Sequence, residues 1–118
     1  MLFNFMRAKI HLASVNQKNL DYVGSITIDA EILEKVGIYP NEKVQVLDLN
    51  NGERFETYVI EGKRGSKIIG LNGPAARKAE IGDRVIVVAY AYGNKEEVKS
   101  SKPRIVVLND KNEVVNEE

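Results

Sequence analysis

The apolar run from residue 85 to residue 92 most constrains the fold, because a strand that is apolar on both faces has to be covered on both. A chain of 118 residues can build one core around such a strand. The other apolar stretches are short, and Asn, Asp and Gly separate them, which is typical of strands joined by tight turns. We therefore predict a mainly β protein with a single domain over residues 1–118.

The spacing of apolar residues predicts one helix among these strands. Asp29 is its N-cap, Ile32, Leu33 and Val36 follow at helical spacing, and Gly37 ends it. The predicted strands cover residues 9–15, 25–28, 43–49, 54–60, 67–71, 84–92, 104–108 and 113–115. Residues 74–80 are expected to form a short helical turn, residues 93–103 a surface loop, and the final acidic residues a frayed end.

The first predicted strand alternates between two faces. Ala8, Ile10 and Leu12 share one face, and Lys9 and His11 lie on the other. Residues 37–46 also resemble residues 80–87, since each segment has an apolar residue, a turn with an acidic residue, a basic residue and a buried strand. Two such units fit a small closed barrel with pseudo-twofold symmetry.

Composition narrows the chemistry. A formal net charge of zero gives no reason to expect nucleic acid, and without cysteine there is no disulfide, thiolate nucleophile or sulfur metal site. One histidine cannot build a His-rich zinc site, so we predict no metal. The apolar runs are too short to cross a bilayer, and Arg7 follows the apolar residues 1–6 instead of preceding them as in a secretory signal. We expect a cytoplasmic protein that does not bind membranes.

The pair Gly24-Ser25 has two interpretations. It is either a turn between two strands or a site of self-cleavage. In the second case the Ser25 hydroxyl attacks the carbonyl of Gly24, and an ester replaces the peptide bond. Glycine suits that position because it tolerates strained backbone angles and leaves its carbonyl unshielded.

Two further motifs are ambiguous when they are considered alone. Residues 50–58 read as a hairpin with a surface Arg54 and a half-buried Tyr58. Residues 71–77 read as a tight turn into a short helix, or as small residues whose backbone N–H groups can approach an anion.

Taken together, these motifs resemble one family. Residues 9–11, 22–29, 51–58, 62–66 and 71–73 occur in the order and spacing of aspartate 1-decarboxylases, and the resemblance extends to about residue 95. It implies a double-psi β-barrel with short helices, and a homotetramer of cleaved subunits with active sites between them. It also implies cleavage into residues 1–24 and 25–118, with a covalent pyruvoyl group made from Ser25. Whether cleavage needs a maturation helper protein is left open.

The resemblance further implies an activity and a set of roles. The enzyme would convert L-aspartate to β-alanine and carbon dioxide for pantothenate and coenzyme A biosynthesis. The pyruvoyl ketone would form a Schiff base with the substrate amine and accept electrons as the carboxylate leaves. Gly24 is the cleavage site, Ser25 provides the pyruvoyl group, and Tyr58 is the proton donor, since phenols stay protonated at neutral pH. The substrate-binding residues are Lys9, Arg54, Thr57, Asn72, Gly73, Pro74 and Ala75.

Several questions stay open at this point. In a regular strand Arg54 and Tyr58 share a face about 13 Å apart while Thr57 points the other way. All three serve one site only if the strand is bulged or twisted, if Thr57 acts from another direction, or if the site straddles subunits. His11 either tunes charge at the site or faces solvent or another subunit. The sequence also departs from the family pattern at Leu12, often Arg, and at Pro74, which lacks an N–H.

The alternative to an enzyme is a non-catalytic double-psi barrel that serves as a binding or assembly module. The same fold occurs in proteins of many functions, so the barrel alone does not distinguish an enzyme from a binding module. Gly24-Ser25 together with Arg54 and Tyr58 favours the enzyme, because a binding module has no need of them.

Overall fold

The computed structural model describes every residue from Met1 to Glu118. Strands hold 49% of the residues and helices 15%, so the prediction of a mainly β fold is confirmed. The strands are β1 (Phe3–Ser14), β2 (Gln17–Asn19), β3 (Ser25–Asp29), β4 (Lys43–Asp48), β5 (Arg54–Gly62), β6 (Ile69–Asn72), β7 (Arg84–Gly93), β8 (Arg104–Leu108) and β9 (Val114–Glu117). The helices are α1 (Ala30–Val36), α2 (Lys95–Ser100) and a short 3-10 helix, here called the 3-10 turn (Gly73–Arg77). Neither α-helix is long and apolar enough to span a membrane.

The sheet is symmetric about its central pair, β4 and β7, except that the edge strand β2 has no counterpart. Its strands follow the order β2-β6-β3-β5-β4-β7-β1-β8-β9. Outward from β4, the pairings are antiparallel with β5, then parallel between β5 and β3, then antiparallel between β3 and β6. Outward from β7, they are antiparallel with β1, then parallel between β1 and β8, then antiparallel between β8 and β9. The two halves therefore repeat one pattern.

The internal sequence repeat coincides with this symmetry. In each half, the turn before the central strand exchanges two backbone hydrogen bonds with one residue, Val59 of β5 in one half and Val15, directly after β1, in the other. They are Asn41 N to Val59 O (2.7 Å) and Val59 N to Glu42 O (3.0 Å), and Gly82 N to Val15 O (2.7 Å) and Val15 N to Asp83 O (2.9 Å). The donors Asn41 and Gly82 both have positive φ, 71° and 95°. The sequence resemblance between residues 37–46 and 80–87 therefore corresponds to a turn that the structure repeats.

Helix α1 forms as its sequence predicts. The Asp29 side chain accepts a hydrogen bond from the N–H of Glu31, and Gly37 ends the helix at a φ of 74°. Ile32, Leu33 and Val36 are buried in the core, which is a single cluster of 23 buried residues. The helix is short, so burial of this apolar face stabilises it more than helix propensity does.

Three local predictions were wrong. Residues 93–103 contain α2, whose capping box joins Asn94 and Glu97. The carboxyl end is not frayed, because β9 pairs with β8, and Glu118 exchanges backbone hydrogen bonds with Ile105. Leu12 does not continue the face of Ala8 and Ile10, since it lies in a bulge of β1 with a φ of 66°.

Strand β7 is not buried along its full length on both faces. Val85, Val87 and Ala89 are in the core, whereas Tyr90 and Tyr92 are exposed. The face that carries these tyrosines is buried at Val88 and exposed beyond it. The buried part of the apolar run is therefore shorter than the run itself.

Candidate active site

A cavity opens where β5 extends beyond its neighbour β3. The parallel pairing of these strands begins at Ile26 and Val59, so the part of β5 before Val59 has no strand on that side. The space has a volume of about 350 Å³. It is lined by Gly24, Phe55, Glu56, Thr57, Tyr58, Pro74, Ala75 and Lys78. Five of the residues predicted for the site from sequence therefore line one cavity.

Ser25 is the first residue of β3 and is fully buried. Its antiparallel partner on β6 is Asn72, so the two side chains lie on one face. Nδ2 of Asn72 donates hydrogen bonds to Oγ of Ser25 and to Oγ1 of Thr27, both at 2.9 Å. Oγ of Ser25 in turn donates to the carbonyl of Val23 at 3.2 Å. A buried serine hydroxyl is thus held between two partners beside the predicted cleavage bond.

The 3-10 turn closes the cavity on the other side. Gly73 begins it with a φ of 62°, a conformation that favours glycine. Pro74 lies in its first turn, where the missing N–H leaves no helical bond unmade. Ala75 is buried beneath it.

Two predicted substrate-binding residues lie elsewhere in the chain. Lys9 on β1 pairs with Val88, which pairs with Gln45 on β4, so these side chains share one sheet face. Arg54 belongs to the same face, because its Nη1 donates to Oε1 of Gln45 at 3.4 Å. Neither Lys9 nor Arg54 lines the cavity at Gly24. One copy of the chain does not bring the whole predicted set together.

The geometry of β5 narrows the alternatives for Arg54, Thr57 and Tyr58. Pairing with β4 runs without a register shift through all three residues, so no bulge brings them to one face. Thr57 and Tyr58 nevertheless both line the cavity, because it lies at the edge of the strand. Thr57 and Tyr58 thus meet the cavity from opposite faces of β5, and Arg54 does not line it.

His11 is half-buried on β1, next to β8. Burial lowers the pKa of His11 below its ordinary value of 6.5, and the charges of Lys9 and Arg84 lower it further. Its Nδ1 is buried and has no hydrogen-bond partner. The imidazole is therefore held neutral at neutral pH, which leaves Lys9 and Arg84 as the nearby cations.

The sequence analysis missed four residues at the site, one of which, Glu56, lines the cavity next to Phe55. Thr27 accepts from Asn72 and so helps to orient that amide. Lys78 is the cation that lines the cavity, and its Nζ lies 3.5 Å from Oε2 of Glu53. Phe55 lines the cavity and packs against the core. Alternation along strand 25–28 could have placed Thr27 with Ser25, but no local signal marks Lys78.

The structure contains no group of three or more His, Cys, Asp or Glu side chains that could hold a metal ion. The reactive groups at the cavity are hydroxyls, a phenol, an amide, an amine and the carboxylate of Glu56. Such a set can position a carbonyl for attack, donate protons and bind carboxylates.

Comparison with known proteins agrees with this geometry. The family model described as aspartate decarboxylase matches residues 1–115. A protein named aspartate 1-decarboxylase from Caldicellulosiruptor saccharolyticus is 56% identical over 115 residues, covering 98% of this chain and 90% of the relative. Proteins of the same name from Staphylococcus aureus strain Newman and Wolinella succinogenes are 55% and 53% identical. They also align with 98% of this chain, covering 91% and 95% of their own lengths.

This mainly β chain, with a buried serine beside a cavity, thus matches one class of enzyme, the carboxy-lyases, over nearly its whole length. The chain belongs to the aspartate decarboxylase family. The prediction of an enzyme is confirmed over the alternative of a non-catalytic module.

Proposed function

We propose that this chain is the precursor of a pyruvoyl-dependent enzyme that converts L-aspartate to β-alanine and carbon dioxide. The observation that carries the proposal is the buried Ser25 directly after Gly24, with its hydroxyl held by Asn72. The name shared by relatives of similar length supports the substrate. Cytoplasmic location and supply of pantothenate and coenzyme A biosynthesis complete the proposal, and the biosynthetic role rests on the family resemblance.

The proposed maturation balances without an added oxidant. Oγ of Ser25 attacks the carbonyl carbon of Gly24, the C–N bond breaks, and the hydroxyl proton ends on the freed nitrogen. Loss of the Ser25 α-proton then breaks the Cβ–O bond and releases the Gly24 carboxylate. Addition of water and loss of ammonia leave the pyruvoyl group on residues 25–118. Nothing in these steps changes the overall oxidation state.

The residues around Ser25 fit a pyruvoyl group at this position. Ser25 lies at the start of a strand and Gly24 lines the cavity, so a group made from Ser25 would adjoin a space of about 350 Å³. When formed, a pyruvoyl group supplies an electron sink for loss of the α-carboxylate. Tyr58 would donate the proton that replaces the carboxylate, and Thr57, Asn72, Gly73, Pro74 and Ala75 would orient the substrate.

Binding of aspartate requires cations for two carboxylates. Arg54 offers a bidentate fork and Lys9 a point charge, but both lie on the outer face of the sheet. We propose that they serve a cavity of another copy, within a homotetramer. The exposure of Tyr90 and Tyr92 on an otherwise apolar strand supports burial of this face between copies.

The proposed fold is a double-psi β-barrel. Its support is the symmetric strand order and the repeated hydrogen bonds of the turns at residues 39–42 and 80–83. Pseudo-twofold symmetry of this kind is what the internal sequence repeat predicts.

The decisive experiment is intact-mass analysis of purified protein under denaturing conditions. We expect fragments 1–24 and 25–118, the larger one lighter by one ammonia than a chain that begins with serine. Ser25→Ala should remain whole, because it has no hydroxyl to attack. Cleavage of Ser25→Ala at this bond would disprove the mechanism. Cleavage of the purified parent without additions would show that no helper protein is needed.

The cofactor is tested separately. Activity should survive chelators and need no added pyridoxal phosphate. Borohydride added together with L-aspartate should inactivate the enzyme and increase the mass of fragment 25–118. Loss of activity to a chelator alone would contradict the proposal.

A further inference from the structure

Gly73 lies against the backbone of the segment that carries the proposed cleavage bond. A Cβ atom added at Gly73 would be 2.6 Å from the carbonyl oxygen of Tyr22, 2.7 Å from N of Gly24 and 2.9 Å from its Cα. Real Cβ atoms essentially never approach other atoms so closely. All three neighbours are backbone atoms, which cannot rotate aside as the end of a long side chain can. Any side chain at this position has to displace residues 22–24.

The residues on either side of Gly73 lie next to Gly24 and Ser25, the two residues that the proposed cleavage separates. Asn72 precedes it and holds Oγ of Ser25 at 2.9 Å. Pro74 follows it, and its Cδ would lie 3.3 Å from a Cβ added at Gly24. Three consecutive residues thus contact both reacting partners, with Asn72 on the nucleophile and Gly73 and Pro74 on the segment that bears the carbonyl.

We propose that Gly73 is a positioning residue for self-cleavage. Its lack of a side chain lets residues 22–24 lie against the 3-10 turn, so that the Gly24 carbonyl stays within reach of Ser25 Oγ. The inference rests on the proposed function, and it concerns the first step alone. In that step the Oγ–C bond forms, the C–N bond breaks, and the hydroxyl proton moves to the freed nitrogen.

A simpler role for Gly73 has to be separated from this one. Its φ of 62° is unfavourable for most other residues, whatever the surrounding space. Asparagine tolerates this conformation better than alanine does, yet it carries a Cβ. Gly73→Asn therefore reduces the backbone strain and keeps the close contact, whereas Gly73→Ala introduces both.

Gly52 provides a matched control. Its φ is 74°, and a Cβ added there would meet nothing within 4 Å. Gly52→Ala thus carries a similar backbone strain without a contact. It lies in the turn between β4 and β5, outside the cavity.

The experiment follows cleavage of freshly synthesised full-length chains by intact mass over time, alongside thermal unfolding. A displacement of about 1 Å can cost on the order of 100-fold in rate. We expect Gly73→Ala and Gly73→Asn both to cleave about 100-fold more slowly than the parent, and Gly52→Ala to keep the parental rate. A parental rate in Gly73→Asn would overturn the inference, since backbone conformation alone would then explain the alanine variant.

Hydroxylamine identifies the step that is impaired. It attacks an ester between Gly24 and Ser25, releases a Gly24 hydroxamate and regenerates the Ser25 hydroxyl on a chain whose amine the acyl shift has already freed. If the Gly73 variants fail to form the ester, hydroxylamine should not restore cleavage. Rapid cleavage with hydroxylamine would place the defect after the acyl shift and overturn the inference.

If the Gly73 variants do not fold, a second pair of variants tests the contact between the 3-10 turn and residues 22–24. Gly24 is not in the left-handed region, so Gly24→Ala adds only a 3.3 Å contact with Pro74 Cδ. We expect Gly24→Ala to cleave several-fold more slowly, and Gly24→Ala with Pro74→Ala to recover the rate. No recovery would overturn the inference. A parent that never cleaves would instead disprove the proposed function, whereas a cleaving parent with unaffected variants would disprove only the role of Gly73.

Discussion

Nδ2 of Asn72 donates a 2.9 Å hydrogen bond to Oγ of Ser25 across the antiparallel pair of β6 and β3. The amide is itself held by Thr27, so it fixes the position of the hydroxyl. A nucleophile reacts fastest when it is already oriented toward the atom it attacks. The rate of self-cleavage should therefore depend on this pair.

Asn72→Ala should slow cleavage by about tenfold or more, because Ser25 Oγ keeps only the carbonyl of Val23 as a partner. Thr27→Val preserves shape but frees the amide of Asn72, and it should slow cleavage less. Intact mass over time measures both rates. Cleavage of Asn72→Ala at the parental rate would show that the hydrogen bond does not orient the nucleophile.

Tyr58→Phe should separate maturation from turnover. The variant keeps the ring that lines the cavity and loses only the phenol. It should cleave at the parental rate, while turnover of L-aspartate falls by about 100-fold, the loss typical of a missing general acid. Mass analysis and β-alanine formation are measured on one preparation. Turnover at the parental rate would exclude Tyr58 as the proton donor.

Mixed oligomers should reveal whether sites are shared between copies. Ser25→Ala and Arg54→Ala should each be inactive, since every site lacks one residue. If Arg54 serves the cavity of a neighbour, random mixing restores both residues in roughly a quarter of the sites. Co-expression of the two variants and assay of the purified mixture provide the measurement. No recovery would mean that each chain supplies its own Arg54.

Much of the fold is encoded locally. Helix α1 was predicted correctly because its cap, apolar spacing and terminal glycine all lie within nine residues of sequence, Asp29 to Gly37. Helix α2 was missed because it buries no residue, so only the Asn94–Glu97 capping box marks it. Alternation also predicted correctly that Thr57 faces away from Tyr58, since pairing of β5 with β4 has no register shift there.

The site depends on contacts that local patterns do not contain. Ser25 meets Asn72 only because β3 pairs with β6 in one register. Pairing of β3 with β5 begins at Val59, and this late start creates the cavity. Neither register can be read from a motif, and Lys78 was missed for the same reason. The resemblance to a family supplied the residues, and long-range pairing arranges them.

Asp29 should be among the most important polar residues for stability. Its carboxylate accepts hydrogen bonds from the N–H groups of Glu31 (2.8 Å), Gly65 (2.9 Å) and Lys67 (2.8 Å). Asp29→Ala should lower the free energy of unfolding by about 3 kcal/mol, because it removes a cap and leaves loop donors unpaired. Asn94→Ala removes the cap of exposed α2 and should cost only about 1 kcal/mol. Equal losses of unfolding free energy in the two variants, measured by chemical denaturation, would contradict this ranking.

The contribution of Asp29 should also depend on pH. Burial raises the pKa of Asp29, but the N–H donors of Glu31, Lys67 and Gly65 together hold it below its ordinary value of 3.8. A carboxyl group whose pKa is lower in the folded state than in the unfolded state stabilises the fold at pH values above its unfolded-state pKa. This stability is lost as the pH falls through the folded-state pKa. The difference between the parent and Asp29→Ala should therefore shrink in strong acid.

The contribution of Asp48 to stability should depend on pH in the opposite direction to that of Asp29. It is 3% exposed, and its Oδ1 accepts from the N–H groups of Asn50 (2.7 Å) and Asn51 (3.2 Å). Its Oδ2 is buried without a donor. Burial raises the pKa of Asp48 above its ordinary value of 3.8, and the neighbouring carboxylate of Asp83 raises it further. A proton on Asp48 would supply the missing donor toward Asp83, so we expect this contact to be complete only in acid.

Asp48→Asn makes that contact permanent, because the amide keeps the Oδ1 acceptor and offers an N–H to Asp83. A group whose pKa is higher in the folded state stabilises the fold at pH values below its unfolded-state pKa, and this stability is lost as the pH rises through the folded-state pKa. The variant should therefore be more stable than the parent by about 1 kcal/mol at neutral pH, and the gain should vanish toward the ordinary carboxyl pKa of 3.8. Asp110→Asn makes the same charge change at an exposed loop position and should have little effect. Denaturation of all three proteins across this range is the measurement, and a gain that does not depend on pH would rule out the shared proton.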